Sequence, residues 1–338
     1  MKSHRSGTNW AWLRSLLETN LQRQPGFKKN FRLQDRLETL GQGMFNRNYL
    51  IEVAGKALVL RLAKVEPGLQ TRKEGVMRLR AEAKTLQALE RLGFPYSTPK
   101  FVCLVEDGVE GTVGLIESAV DGLPLKLFSN QNEPDRLLKI VAKVAVAVHK
   151  LPKSEFSHLK DRVDGREHVM EQLEALSRSI FDEFEQAAQA RDWILSQLPK
   201  SRPAVVLHGD LLPQNLLLDD VDRSRVSIVD WQEAIIGDPA YDLAVVTRGV
   251  RKPLGVQHGL EQLVDLYNET AEQKLPVNAV VVHELLFHLS WLSDAMKTQP
   301  KRVGGHAPEH YAELLGGILR RAALRETGTA EGRFAHDK

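Results

Sequence analysis

Residues 207–215 read Leu-His-Gly-Asp-Leu-Leu-Pro-Gln-Asn, so Asp210 follows His208 by two positions and precedes Asn215 by five. A carboxylate and an amide held one loop apart can divide a reaction between them. The carboxylate accepts or orients the proton of an attacking hydroxyl, and the amide oxygen holds a hard cation against phosphate oxygens. Fifteen residues beyond Asn215 a short apolar run ends in Val229-Asp230-Trp231. An aspartate at a strand end can project from such a run and ligate Mg²⁺, an oxygen-seeking ion that keeps phosphates and waters as its other ligands. Taken singly, His-Gly-Asp could be an ordinary turn and Asp230 a strand terminator. A hairpin joining them makes one catalytic constellation of His208, Asp210, Asn215 and Asp230 the stronger reading.

Two kinds of element must hold these residues. Before Gly122 the pattern is sheet with helices. Residues 9–23 form an amphipathic helix through Trp12, Leu13, Leu16, Leu17 and Leu21, and strands are expected at 31–40, 49–53, 57–63, 101–106 and 112–117. A helix at 74–92 carries Val76, Leu79, Ala83, Leu86 and Leu89 on one face. Beyond Gly122 helices dominate, at 134–150, 166–198, 239–250, 258–272, 277–298 and 308–325, interrupted by one hairpin with strands at 216–218 and 226–230. Asp238-Pro239 is a cap followed by a first-turn proline. The expected class is α+β in two lobes: a helical extension over 1–30, a sheet lobe over 31–122, a helical lobe over 123–325, and a polar, glycine-containing tail over 326–338.

Composition narrows the partner. Lys and Arg number 46 against 44 Asp and Glu, a formal charge of +2, so there is no chain-wide positive excess of the kind nucleic acid requires. A small-molecule partner is expected. Cys103 is the single cysteine, which excludes an intrachain disulfide or a thiolate metal cage and fits a reducing compartment. No apolar run approaches the roughly 18 to 20 residues needed to cross a bilayer. The expectation is a soluble, cytoplasmic protein with no membrane partner.

His208 to Asn215, followed by Ile228-Val229-Asp230-Trp231-Gln232-Glu233-Ala234 and by Gly237-Asp238-Pro239-Ala240-Tyr241-Asp242-Leu243-Ala244, resembles the aminoglycoside phosphotransferase and choline kinase family. The resemblance covers about residues 31 to 320, and these two C-terminal motifs are its specific part. It implies a protein-kinase-like fold and ATP- and Mg²⁺-dependent phosphoryl transfer to a hydroxyl of a small molecule. Asp210 would be the base, Asn215 and Asp230 the Mg²⁺ ligands, and Asp242 a brace for the catalytic loop. The sheet lobe would then clamp the nucleotide. Gly41-Gln42-Gly43, between two expected strands, would cover the phosphates, although a third glycine is absent. Strand alternation puts Arg61 where kinases place a phosphate-contacting lysine, with Lys64 as the fallback facing the other way. Glu82, inside an apolar helical stripe, needs a partner and is preferred over Glu90 as the acid for Arg61. Residues 116–122 resemble the hinge, with main-chain groups near Glu117 and Ala119 facing the adenine edge.

Acceptor contacts are expected from the helical lobe and the end of the hairpin. Glu284, His288 and Trp291 align on one helix face that could receive a cationic acceptor, the alternative being an ordinary face between helices. Trp231 and Glu233 adjoin the metal aspartate. His283, His306 and His310 show no defensible metal-ligand spacing. A competing reading is a nucleotide-binding pseudoenzyme or regulatory module, motivated by the incomplete glycine loop and by Arg61.

Overall fold

A computed structural model describes residues 10–25, 27, 33, 38–42, 46–64, 69–109, 111–128, 134–198, 202–219, 222, 224–247, 256, 259–297 and 306–326. The chain forms two compact units, Met1–Leu123 with Leu216–Ala234, and Pro124–Asn215 with Ile235–Lys338.

In the first unit, helix α1 (Trp10–Leu21) precedes strands β1 (Glu38–Gln42), β2 (Asn46–Val53) and β3 (Lys56–Ala63), helix α2 (Leu69–Leu92), and strands β4 (Phe101–Asp107) and β5 (Gly111–Ser118). The strands make one antiparallel sheet in the order β1-β2-β3-β5-β4. Ala54 and Gly55, at φ 52° and 76°, form the two-residue turn whose left-handed backbone suits the sheet twist between β2 and β3. Leu13, Leu17 and Leu21 of α1 are buried in a cluster with Ile51, Leu58 and Leu60, while Leu79 and Ala83 of α2 pack with Leu115. The helix at the N-terminus also closes a sheet edge. Asn20 donates to the carbonyl of Glu106 and accepts its N–H, both at 3.1 Å, so one side-chain amide takes the place a neighbouring strand would hold against β4.

A two-residue strand, β6 (Leu123–Pro124), ends this segment, and the hairpin β8 (Leu216–Leu218) and β9 (Val226–Ile228) returns to the same unit. Ile228 donates to the Ser97 carbonyl at 2.8 Å, and Ser97 and Ser227 form a bridge. The expectation that residues 123–325 form one uninterrupted lobe is corrected accordingly, because these main-chain bonds tie the hairpin to the exit of α2.

The second unit holds α3 (Pro134–His149), α4 (Gly165–Glu174), α5 (Ser179–Glu183), α6 (Glu185–Ser196), β7 (Val205–Leu207), β10 (Ile235–Gly237), α7 (Ala240–Thr247), α8 (Gly259–Thr270), α9 (Val277–Lys297) and α10 (Pro308–Glu326). The single helix expected over 166–198 is three. Ser177 gives its N–H to the Ser293 hydroxyl at 3.2 Å, and Phe184 adopts an extended backbone at φ −123° and ψ 110°. Three-residue strands are too short to show periodicity, and β7 and β10, which pair antiparallel, escape a sequence reading. The expected strand over 31–40 falls largely outside the described residues; β1 lies at its far end. No helix among the described residues is long and apolar enough to cross a membrane.

Helix α7 is started by a buried ionic network. Asp238 accepts from the Ala240 N–H at 3.0 Å, Arg202 Nη1 reaches both of its carboxylate oxygens at 2.8 and 2.6 Å, and His283 Nε2 lies 3.3 Å away without hydrogen-bond alignment. Burial alone would raise the Asp238 pKa, but the His283 and Arg202 contacts hold it below the usual carboxylate range. His168 Nδ1 accepts the Asp238 N–H at 3.0 Å, which requires the proton on Nε2. Burial, with His283 and Arg162 adding to it, pushes the His168 pKa down to about 2.

Native His168 therefore stays neutral where the unfolded chain, with a histidine pKa of 6.5, takes up a proton. Its contribution to stability is complete above pH 6.5 and is lost progressively as pH falls toward about 2. Unfolding free energies from urea titrations between pH 6 and pH 4 should fall less steeply in His168→Gln, by up to about 1.4 kcal/mol per pH unit. Equal slopes in variant and wild type would refute the assignment. Asn20→Ala should cost about 1–3 kcal/mol in the same unfolding assay, because it leaves a peptide group of β4 unpaired; an unchanged midpoint would count against the edge role.

Candidate active site

The loop 207–215 leaves β7 and is held by its main chain. Gly209, at φ 79°, occupies the left-handed region that a side chain would resist. This backbone turns the N–H groups of His208 and Gly209 onto one carboxylate, that of Asp242 on α7, each at 2.9 Å. Asp242 is fully buried and also lies 3.3 Å from His149 Nε2, whose other ring nitrogen is 2.9 Å from the Tyr267 hydroxyl. Within the loop, Asn215 Nδ2 donates to the Asp210 carbonyl at 2.8 Å and to its carboxylate at 2.9 Å. The amide is thereby oriented, with its carbonyl oxygen taking no hydrogen bond among the described residues. His208 departs from the expected catalytic part. It is fully buried, and its Nδ1 accepts the Asp210 N–H at 3.3 Å, so it shapes the loop.

In the first unit the organising group is Arg61 on β3. Its Nη1 donates to Glu82 Oε1 at 2.6 Å and its Nη2 to Asp230 Oδ1 at 2.6 Å and to Gln232 Oε1 at 3.1 Å. Burial alone would lower the Arg61 pKa, but Glu82, Asp230 and Glu117 together raise it, so the guanidinium stays charged. Burial drives the Glu82 carboxyl well up despite Arg61 beside it. Glu82 Oε1 also accepts the Trp231 N–H at 3.0 Å, which links α2 to the residue after Asp230. Asp230 itself is left-handed, at φ 68° and ψ 59°, a conformation uncommon outside glycine but tolerated by aspartate. Gln232 Oε1 further accepts from Asn46 Nδ2 at 2.7 Å, at the start of β2.

The remaining expected residues divide sharply. Gly41 lies in β1 at an irregularity of register, while Gly43 lies outside the described residues. Ala119 commits its N–H to the Ala57 carbonyl at 3.1 Å, so what it can offer a base is its own carbonyl. Trp231, expected beside the acceptor, is instead buried, with Nε1 donating to Ile228 at 3.2 Å and its ring edge-on to Phe94. Glu233, about a third exposed, is ion-paired with Arg78 of α2. Glu284 and His288 also leave the acceptor reading: α9 is covered on both sides, the Glu284 carboxyl meets the Thr247 hydroxyl, and His288 Nδ1 donates to the Glu284 carbonyl at 2.7 Å. Trp291, half-buried, stacks on Phe287 and packs against Tyr311. Asn46, Gln232 and His149 were missed; only Gln232, two residues past Asp230, carried a hint in its position.

The donors suit a magnesium nucleotide. Among the described residues, Asn215 in the second unit has no hydrogen bond to its carbonyl oxygen and Asp230 in the first unit none to its second carboxylate oxygen; each is a hard oxygen donor. Among the described residues no group of three or more His, Cys, Asp or Glu is placed to hold a metal ion, so a bound ion would draw phosphates and water as further ligands. On the sheet, Asn46 Oδ1, Asn48 Oδ1 and Arg61 Nε are buried without partners, as unfinished polar surfaces awaiting a polar ligand are.

Comparison with known proteins places the chain by family and fold. A profile of the phosphotransferase enzyme family matches residues 36–257, more than half of the chain. Aminoglycoside 3'-phosphotransferase of Streptomyces fradiae is 28% identical over 179 residues, 50% of this chain, and the match spans 64% of that enzyme, just under two thirds of its length. The enzyme of the same description from Streptomyces ribosidificus is 30% identical over 194 residues, covering 55% of this chain and 70% of its own. Among solved structures, the GDP complex of aminoglycoside 2'-phosphotransferase-IIIa superposes with a TM-score of 0.66 at 19% identity, covering 93% of this chain and all of that one. A ternary complex of an aminoglycoside phosphotransferase mutant with ADP and hygromycin B gives 0.62 at 16% identity, over 86% of this chain and 95% of that one. By sequence and by fold, the chain belongs to the phosphotransferase enzyme family.

Proposed function

We propose that this protein transfers the γ-phosphoryl group of ATP to a hydroxyl of a small molecule, with Mg²⁺. The observation that carries the reading is the loop in which Asp242 fixes two main-chain N–H groups and Asn215 fixes Asp210. Asp210 is thereby held as the base that orients the acceptor hydroxyl and receives its proton as the oxygen bonds to phosphorus and the bond to the departing ADP breaks. Arg61 supplies fixed positive charge for phosphate oxygens, and Asn215 and Asp230 would hold the metal. Bound magnesium neutralises charge on the phosphates. Most of the rate would come from positioning and electrostatics, since the chain needs no covalent intermediate for this transfer.

The acceptor class is a hydroxylated small molecule: an aminoglycoside, as acted on by the Streptomyces relatives, an amino alcohol or a sugar. A screen of such compounds with ATP and Mg²⁺, read by mass for a gained phosphoryl group, should find a product. Asp210→Ala should lower turnover by roughly 10²–10⁴-fold with the fold intact by circular dichroism. Asp230→Ala should abolish metal-dependent transfer and Asn215→Ala weaken it. Full transferase activity in Asp210→Ala or Asp230→Ala would remove the assignment, and ATP binding without any product across the screen would favour the regulatory module instead.

A further inference from the structure

One carboxylate beside Arg61 has no part in the chemistry above. In the pairing of β3 with β5, Val59 opposes Glu117 and Arg61 opposes Leu115, so the two-residue period of a strand puts Glu117 and Arg61 on one face. Glu117 Oε1 lies 4.0 Å from Arg61 Nη1, the nitrogen already bonded to Glu82. Glu117 is 5% exposed, and its Oε2, like Glu82 Oε2, is buried without a partner. Three carboxylates thus face a single buried cation. A buried glutamate in a strand is costly, and an apolar residue would pack there at no such cost, so packing does not account for it.

Resting on the nucleotide reading above, we propose that Glu117 is a positioning residue for Arg61, a second carboxylate that works with Glu82 to hold the guanidinium where phosphate oxygens would meet it. Glu117 is matched to arginine in particular. A guanidinium is a planar fork of five donors and can face Glu82 and Glu117 through Nη1 while Nη2 serves Asp230. The compact ammonium of a lysine would satisfy Glu82 and leave Glu117 as an uncompensated buried charge. The departure from lysine at position 61 and the acid at position 117 are then one feature of this chain.

Equilibrium binding of a ribose-labelled fluorescent ATP with Mg²⁺, with unlabelled adenosine measured in parallel, tests this in wild type, Arg61→Lys, Glu117→Leu and the double variant. Arg61→Lys should lose about tenfold or more in ATP affinity and Glu117→Leu several-fold, while the double variant should bind ATP more tightly than Arg61→Lys alone. Adenosine, which lacks phosphates, should bind all four equally. Glu117→Gln, which keeps the side-chain shape, should reproduce the Glu117→Leu loss and replaces it if the leucine variant unfolds. Additive losses in the double variant, or a parallel loss for adenosine, would overturn the role of Glu117. Failure of the wild type to bind either ATP or GTP would overturn the nucleotide reading itself, a result distinct from additive losses in a wild type that binds.

Discussion

A buried guanidinium must be surrounded by acceptors or it will not remain buried. Arg61 sets that requirement for the first unit, and the elements around it are arranged to meet it. Strand β3 delivers the arginine to one sheet face, α2 brings Glu82 across at 2.6 Å, and the segment after β9 brings Asp230 at the same distance. The left-handed backbone of Asp230 lets its carboxylate reach Arg61 while the next N–H, from Trp231, closes on Glu82. Three segments far apart in sequence meet at one charge, and Asp230 is placed by the same convergence.

The second unit solves a similar problem with the charges reversed. Two buried aspartates, four residues apart, bracket the start of α7. Asp238 is compensated by Arg202 and fixes the helix start, and Asp242, one turn further on, is compensated mainly by main-chain N–H groups of the loop 207–215. The geometry of the loop is therefore referred to a helix whose own origin is fixed by an ion pair. Placement of Asp210 follows from main-chain bonds around it and from Asn215, which donates to its carboxylate.

How much of this was legible depended on whether the determining interaction was local. The His-Gly-Asp and Asp230 motifs are local in spacing, and alternation along β3 was enough to orient Arg61. Glu82 could be read because a charge within an apolar helical stripe demands a partner. Glu117 was placed in the right strand but assigned to its main chain, since nothing in residues 116–122 alone reveals that its carboxyl faces Arg61 across a strand pair. Trp231, Glu284 and His288 show the opposite case. Their residue types suggested recognition, yet long-range packing against Phe94, Thr247 and neighbouring helices uses them as interior. The three-helix break between 174 and 185 was likewise invisible, because a bond from Ser177 to Ser293 competes with helix continuation.

The return of residues 216–234 to the first unit has a consequence for how the chain is made. The backbone passes from one unit to the other after Leu123, again after Asn215 and again after Ala234. A nascent chain that has emerged as far as the end of β5 already possesses the sheet and α2, but it lacks Asp230, Gln232 and the Trp231 N–H that complete the surroundings of Arg61. Domains usually consolidate in the order in which they are synthesised. Here the N-terminal unit must hold Arg61 with its Nη2 donors unmet while nearly a hundred further residues are translated, 124–215, and its final consolidation follows the emergence of the loop 207–215.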